Sequence, residues 1–376
     1  MKKPAFNLVH LLETVFGKIS GKRTAVFIDL EDPRDIVGLR FLKNPHWAVQ
    51  TRAYAIFYQG LKEAQSRLGL QEVGFYSYQL TGGSNLDLPR TVFDLNGDEL
   101  ELEKDVLSRL DLVLYIGTYS ATAPITAIAR RMGFRGATMH GVNEVILNSG
   151  LAVDYQTVSR KAEAFRKALT RSDCADIEFE RRGRKFSLHI DLAGQEAQKS
   201  HGLCPSPGDI ANLPAGEIYF VPTGAEGMFP IIYEDGTRAL MKVKDMRIYD
   251  AELLEGRQAT VDAHLKKLGS DPATGELGEL GLGTQVLPVA GADIQDEKVL
   301  GTIHIATGRS DHLGGHLTPD KFKHKLNATH DDILFAPHKT PEVNLKCVTF
   351  HRGAESKVVI ENYQPTALTQ EIIDNA

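Results

Sequence analysis

No CxxC pair occurs in this chain. Its three cysteines, Cys174, Cys204 and Cys347, are widely separated. An odd, scattered set excludes a disulfide framework and suits a reducing compartment, and all three are expected as buried thiols. No apolar run approaches the ~20 residues of a membrane span. The stretch MKKPAFNLVHLLETVFGKI has two lysines and then apolar residues, but His10 and Glu13 interrupt it and no small-residue cleavage site follows. Phe6, Val9, Leu12, Val15 and Phe16 share one helical face, which predicts a surface helix rather than a signal peptide. A cytoplasmic protein with no membrane partner is expected. An excess of basic charge is also missing: the net charge is −6 and the pI about 6.1, which argues against a nucleic-acid partner. The one basic run, RRGRK at 181–185, reads as a hairpin tip with solvated charges.

Three catalytic signatures are absent as well. No GxGxxG follows a strand and no GxxxxGK[ST] occurs, so the usual dinucleotide and nucleotide cradles are missing. GTYSATAP at 117–124 reads as a strand-to-helix turn whose only alternative use is to hold an anion at the helix N-terminus. GxSxG is absent, and the consecutive Ser310, Asp311 and His312 cannot converge as a triad does. No internal repeat or low-complexity segment stands out.

What remains is an ordinary globular composition, 42% hydrophobic and 24% charged over 376 residues, long enough for two domains. The first half alternates strands (TAVFIDL at 24–30, EVGFYSYQL at 72–80, DLVLYIG at 111–117, RGATM at 135–139) with helical stretches at 46–69 and 120–133, which close at Gly69 and Gly133. This predicts an open, mostly parallel α/β sheet. After a long helix at 154–173 the pattern changes to short strands and Gly/Pro turns (DIEFE, KFSLHIDL, EIYFVP, MFPIIYE, ALMKV), interrupted by one helix near 257–268. The expected architecture is α/β: an N-terminal α/β domain over 1–172 and a C-terminal β-rich α+β domain over 173–376.

Six of the 13 histidines, His304, His312, His316, His324, His330 and His338, fall within 35 positions. In TIHIAT, Ile303 and Ile305 take one face of a strand and His304 the other. His330 and Asp332 at the entry to a second strand project together, because residues i and i+2 share a face. Glu217 opens the strand EIYFVP, and Glu279 lies in the glycine-rich GELGELGLGT. Two imidazoles and one carboxylate suit a divalent iron with open positions, and adding both glutamates supplies enough donors for a two-metal hydrolytic site. Composition leaves both open. His312 and His316 have HxxxH spacing, but the intervening LGG disfavours a helix and predicts a loop over the site. His324 and His338 are expected on the surface.

ANLPAGEIYFVP (211–222), GELGLGT (278–284), DEKVLGTIHIATGRS (296–310), the glycine pair 314–315 and the HxD of His330 and Asp332 occur in one order. That order resembles the metalloenzyme superfamily of the thermophilic-type metallo-aminopeptidases (aminopeptidases T and S) and the 2,5-dihydroxypyridine dioxygenases, over roughly residues 140 to 340. The resemblance implies that Glu217, Glu279, His304, His330 and Asp332 are metal ligands in an aminopeptidase, and that His304, His330 and Asp332 hold iron in a dioxygenase. It also implies a homodimer. Asp311 stands where the aminopeptidases carry a catalytic tyrosine. An ionised aspartate cannot donate to a developing oxyanion as a tyrosine does, and HLGGH is closer to the dioxygenase branch. RRGRKF also stands where a GTD-type motif belongs, which marks a divergent member.

The expectation is therefore a metal-dependent enzyme for a small-molecule substrate. Fe(II) on His304, His330 and Asp332 is favoured, with Glu217 and Glu279 orienting the ligands and Asp311 or His312 moving the substrate proton. The alternatives are a hydrolase with a Zn, Co or Mn pair on all five residues, and a binding protein that has lost its metal.

Overall fold

The computed structural model describes residues 5–376, which divide into two compact units. One comprises residues up to Ser159 with His201–Ala215 and Leu287–Gln295; the other comprises Arg160–Ser200, Gly216–Val286 and Asp296–Ala376. The architecture is α/β, as the strand-helix alternation and later strand-rich pattern predict.

The first unit is built on a seven-stranded sheet. Its parallel centre is formed by Arg23–Leu30, Glu72–Gln79, Leu112–Gly117 and Arg135–His140. The Arg23–Leu30 and Leu112–Gly117 strands are buried almost throughout, as expected for parallel strands covered on both faces. Val26, Ile28 and Leu114 enter one apolar cluster while Phe27, Val113 and Tyr115 enter another, so the period of two separates the faces. The helices Gln59–Leu68 and Thr122–Met132 end at Gly69 and Gly133, both in left-handed conformation; a side chain there would be strained. The N-terminal helix, Leu8–Phe16, buries Val9, Leu12, Val15 and Phe16, and also Leu8 and Leu11. It is more deeply embedded than its five-residue stripe predicts.

The turn after Leu112–Gly117 joins strand to helix, as expected, and directs its amides at a side chain of the protein itself. The Thr118 and Tyr119 amides donate to the buried Asp29 carboxylate, which also accepts from Gln50. Gln50 donates in addition to the Thr118 hydroxyl. Burial raises the Asp29 pKa, and the two amides and the Gln50 amide work against that rise.

The helix Tyr155–Leu169 carries the chain into the second unit and stops short of residue 173. That unit contains an eight-stranded and a five-stranded sheet, and both contribute to a single apolar core. Phe179 and Phe229 of the larger sheet pack on Phe335 of the smaller at 4.7 and 6.4 Å between ring centres. The RRGRK segment turns between strands Cys174–Arg181 and Arg184–Asp191, as the hairpin reading predicts. Arg181, however, is not solvated: it is buried and ion-paired with Glu255 and Glu342, because an arginine that leaves water needs carboxylate partners. Of the three thiols only Cys204 is buried; Cys174 and Cys347 lie half-exposed on sheet strands. Among the described residues no helix is long and apolar enough to cross a membrane.

Candidate metal centre

Four neighbouring antiparallel strands of the five-stranded sheet carry the candidate residues: Glu217–Phe220, Leu277–Gly283, Ile303–Gly308 and His330–Phe335. Their alternation sorts the side chains. Ile218, Phe220, Leu280, Leu282, Ile303, Ile305 and Phe335 point into the apolar core. Register places the polar residues on the opposite face: Glu217 pairs with Gly283, His304 with Gly281, Ala306 with both Glu279 and Asp332, and His330 with Gly308. Gly281, Gly283, Ala306 and Gly308 stand between the polar side chains on that face, which Tyr219 and Leu334 also share. They form a floor over which the long side chains lie.

The glycine-rich stretch has a steric purpose. A Cβ on Gly281 would sit 2.0 Å from His304 Cε1 and 2.2 Å from its Nε2, so the imidazole lies flat across that strand. A Cβ on Gly283 would sit 2.2 Å from the Val299 carbonyl oxygen and 2.6 Å from the Lys298 carbonyl carbon. Gly283 thus lets the 296–299 segment cross directly above the sheet.

The structure brings all five sequence-derived metal candidates together. His304 Nε2 is 3.3 Å from Glu279 Oε1, 3.9 Å from Glu217 Oε2 and 4.0 Å from Asp332 Oδ1. His330 Nε2 is 3.0 Å from Glu279 Oε2 and 3.2 Å from Asp332 Oδ1. One donor atom each from Glu279, His304 and Asp332 lie within 4.8 Å of one another. Ligands at about 2.0–2.2 Å from a shared ion are at most about 4.4 Å apart, so the cluster needs little adjustment to surround one. His330 Nδ1 donates to the Arg309 carbonyl at 2.6 Å, which fixes the ring and directs Nε2 at the carboxylates, the usual support of a metal-binding imidazole. The buried Glu217 Oε2 has no hydrogen-bond partner, an unsatisfied acceptor beside this cluster. The nitrogen and oxygen donors suit iron, zinc, manganese or cobalt.

Electrostatics follow from burial and crowding. Burial pulls the His304 and His330 pKa values down, but the carboxylates outweigh it: Glu279, Asp332 and Glu297 raise His304 to about 10, and Asp332 and Glu279 raise His330 well above the usual imidazole range. Burial pushes Glu279 up, yet His304 and His330 hold it below the carboxylate range, and Asp332 is likewise lowered by the two imidazoles.

Two residues of the HLGGH loop differ in placement. His312 is buried, packed edge-on against His330 with ring centres 4.9 Å apart. Its Nδ1 is 3.9 Å from Asp311 Oδ1, too long for a hydrogen bond, and has no other partner. Asp311 faces Arg309, which donates from Nε at 2.7 Å and Nη2 at 3.2 Å. His316 is exposed and meets Glu276 at 2.9 Å. His324 and His338 are exposed, as expected for surface residues, although His338 reaches Asp296 at 3.0 Å.

The fold is shared with two solved structures. A 2,5-dihydroxypyridine dioxygenase from Pseudomonas putida aligns with TM-score 0.62 and 16% identity, over 95% of this chain and 95% of that one. The wild-type AmpT of Thermus thermophilus aligns with TM-score 0.50 and 12% identity, over 96% of this chain and 98% of its own. No protein-family model and no curated protein sequence matches the chain.

Sequence reasoning missed three contributors. Glu297 and Lys298 enter the cluster from the segment above Gly283: Lys298 Nζ lies 2.6 Å from Glu217 Oε1 and 2.5 Å from Glu297 Oε1. Burial pushes the Glu297 carboxyl up, Lys298 opposes this, and the balance falls near 7. Arg309 supplies the carbonyl behind His330 and the clamp on Asp311. The signal for the first two was the charged DEK triplet just before a buried strand; the Arg309 carbonyl is a backbone group and left none.

Gly281→Ala tests the floor. The new methyl must displace the His304 imidazole, so metal affinity is expected to fall at least ~10-fold, the scale of a disturbed metal surrounding, with about 1–3 kcal/mol lost to overpacking. Metal titration and thermal melts measure both; unchanged affinity would show that the ring need not lie where it does.

Proposed function

We propose that this protein is a metal-dependent enzyme that opens a hydroxylated aromatic or heterocyclic ring with dioxygen, using a divalent iron held by His304, His330 and Asp332. The observation that carries this reading is that the Asp332 carboxylate lies 4.0 Å from His304 Nε2 and 3.2 Å from His330 Nε2 on one sheet face, with His330 oriented from behind by the Arg309 carbonyl. When bound, the iron supplies the redox chemistry by which dioxygen attacks an electron-rich ring.

The chain's own residues prepare the site. Glu279 spans the two imidazoles, with contacts of 3.3 and 3.0 Å, and holds their separation. Burial depresses the His312 pKa, so its imidazole is neutral at pH 7 and its unpartnered Nδ1 is available to take the proton of a substrate hydroxyl. Burial pushes the Asp311 carboxyl up, but the Arg309 guanidinium holds it below the usual carboxylate range, which keeps it ionised beside His312. The 2,5-dihydroxypyridine dioxygenase of the same fold suggests the substrate class, a small nitrogen-containing ring bearing hydroxyls.

The unpartnered Glu217 Oε2 favours one second reading, a two-metal hydrolase in which Glu217, Glu279, His304, His330 and Asp332 are all ligands. Aerobic and strictly anaerobic assays of iron-loaded protein separate the two. The expected result is uptake of dioxygen with loss of the ring chromophore, and no turnover without oxygen. Anaerobic cleavage of aminoacyl amides by protein holding a zinc, cobalt or manganese pair would replace the first reading with the second.

A further inference from the structure

We propose that Lys298 is a built-in cation that takes the place of a second metal ion and limits this centre to one. The inference rests on the reading of His304, His330 and Asp332 as metal ligands.

Lys298 is among the most deeply buried large side chains of the protein, 1% exposed. An ammonium leaves water only where carboxylates surround it, and its Nζ sits between Glu217 Oε1 at 2.6 Å and Glu297 Oε1 at 2.5 Å. Both carboxylates are themselves buried. The lysine therefore occupies one oxygen each of Glu217 and Glu297, while the imidazoles and Asp332 occupy the other end of the cluster.

Charge balance points the same way. With all four ionised, Glu217, Glu279, Glu297 and Asp332 bring four negative charges to the cluster. Two divalent ions would neutralise them with no lysine. With the lysine, one divalent ion leaves a single negative charge, and a second would leave excess positive charge beside a fixed ammonium in a poorly solvated site. The lysine cannot readily withdraw, because its backbone carbonyl accepts from the Gln285 amide at 2.9 Å and passes so close over Gly283 that a Cβ there would sit 2.6 Å from the Lys298 carbonyl carbon. Glu217 is in this view the partner of a lysine rather than a metal ligand.

The test is a count of bound ions. Metal-stripped wild type, Lys298→Met, Glu217→Gln and the double variant are titrated with Mn(II), and free ion is read by its paramagnetic resonance signal. Saturation is expected at one ion per chain for wild type, two for Lys298→Met, and one for both Glu217→Gln and the double variant. Wild type saturating at two, or folded Lys298→Met remaining at one, would overturn the proposal. If Lys298→Met does not fold, Glu217→Gln decides: one ion retained agrees, and a lost ion shows that Glu217 is a ligand after all. A wild type that takes no ion removes the metal reading itself, and this proposal with it.

Discussion

His304→Ala is expected to leave the protein folded but without stoichiometric metal, and to lower turnover by more than the ~10–100-fold typical of changes behind a metal ligand. His304 is central to the cluster, with its Nε2 within 4.0 Å of Glu217, Glu279 and Asp332. No neighbour can substitute for it: the strand beneath is glycine at 281, and the adjacent position 306 is alanine. The variant also removes a positive charge from among buried carboxylates, so the metal-free protein should melt earlier. His316→Ala, at an exposed histidine, is the control and should change neither quantity. Elemental analysis and circular dichroism read the outcome. A folded His304→Ala protein that still holds one ion per chain would sink the ligand assignment.

Metal affinity should rise steeply with pH. In the metal-free protein His304 has a pKa near 10 and His330 one well above the usual range, so both imidazoles carry protons at neutral pH. The protons satisfy the carboxylates that a metal would otherwise satisfy, and binding must expel them. A raised pKa keeps the proton bound until pH climbs through the raised value, so protons compete hardest in acid and release the site as pH rises. With about two protons displaced, the binding constant should grow roughly 100-fold per pH unit through the neutral range. The same sign applies to folding without metal: the stability contributed by the two imidazolium ions is full below pH ~6.5 and is lost as pH rises through the raised values. Calorimetric titration in two buffers of different ionisation enthalpy counts the protons directly. A pH-independent binding constant would mean that the imidazoles are neutral before metal arrives.

The contrast between Glu279 and Glu297 shows how far the chain could be read. Glu279, His304, His330 and Asp332 were legible because each sits in or beside a segment with strand alternation, where the side of a residue follows from its parity. Glu297 and Lys298 lie in a short helix-to-strand connection with no such rule. Their approach to Glu217 depends on a close crossing above Gly283 and on the pairing of that strand with the distant Glu217 strand. Likewise the Asp29 carboxylate in the 117–119 turn follows from two parallel strands lying side by side, which no local pattern reveals.

Taken alone, the amino-acid sequence determined the α/β class, the chief strands and helices, the parity of the polar residues and the absence of nucleotide and serine-hydrolase signatures. These are consequences of local periodicity and short-range turn chemistry. Tertiary structure alone decided which donors meet, that Lys298 takes one oxygen of Glu217, that Arg309 orients His330 through its carbonyl, and that His312 is buried while His316 is exposed. Those facts depend on strand register and on the close approach that glycine permits, and both are set by packing between distant segments.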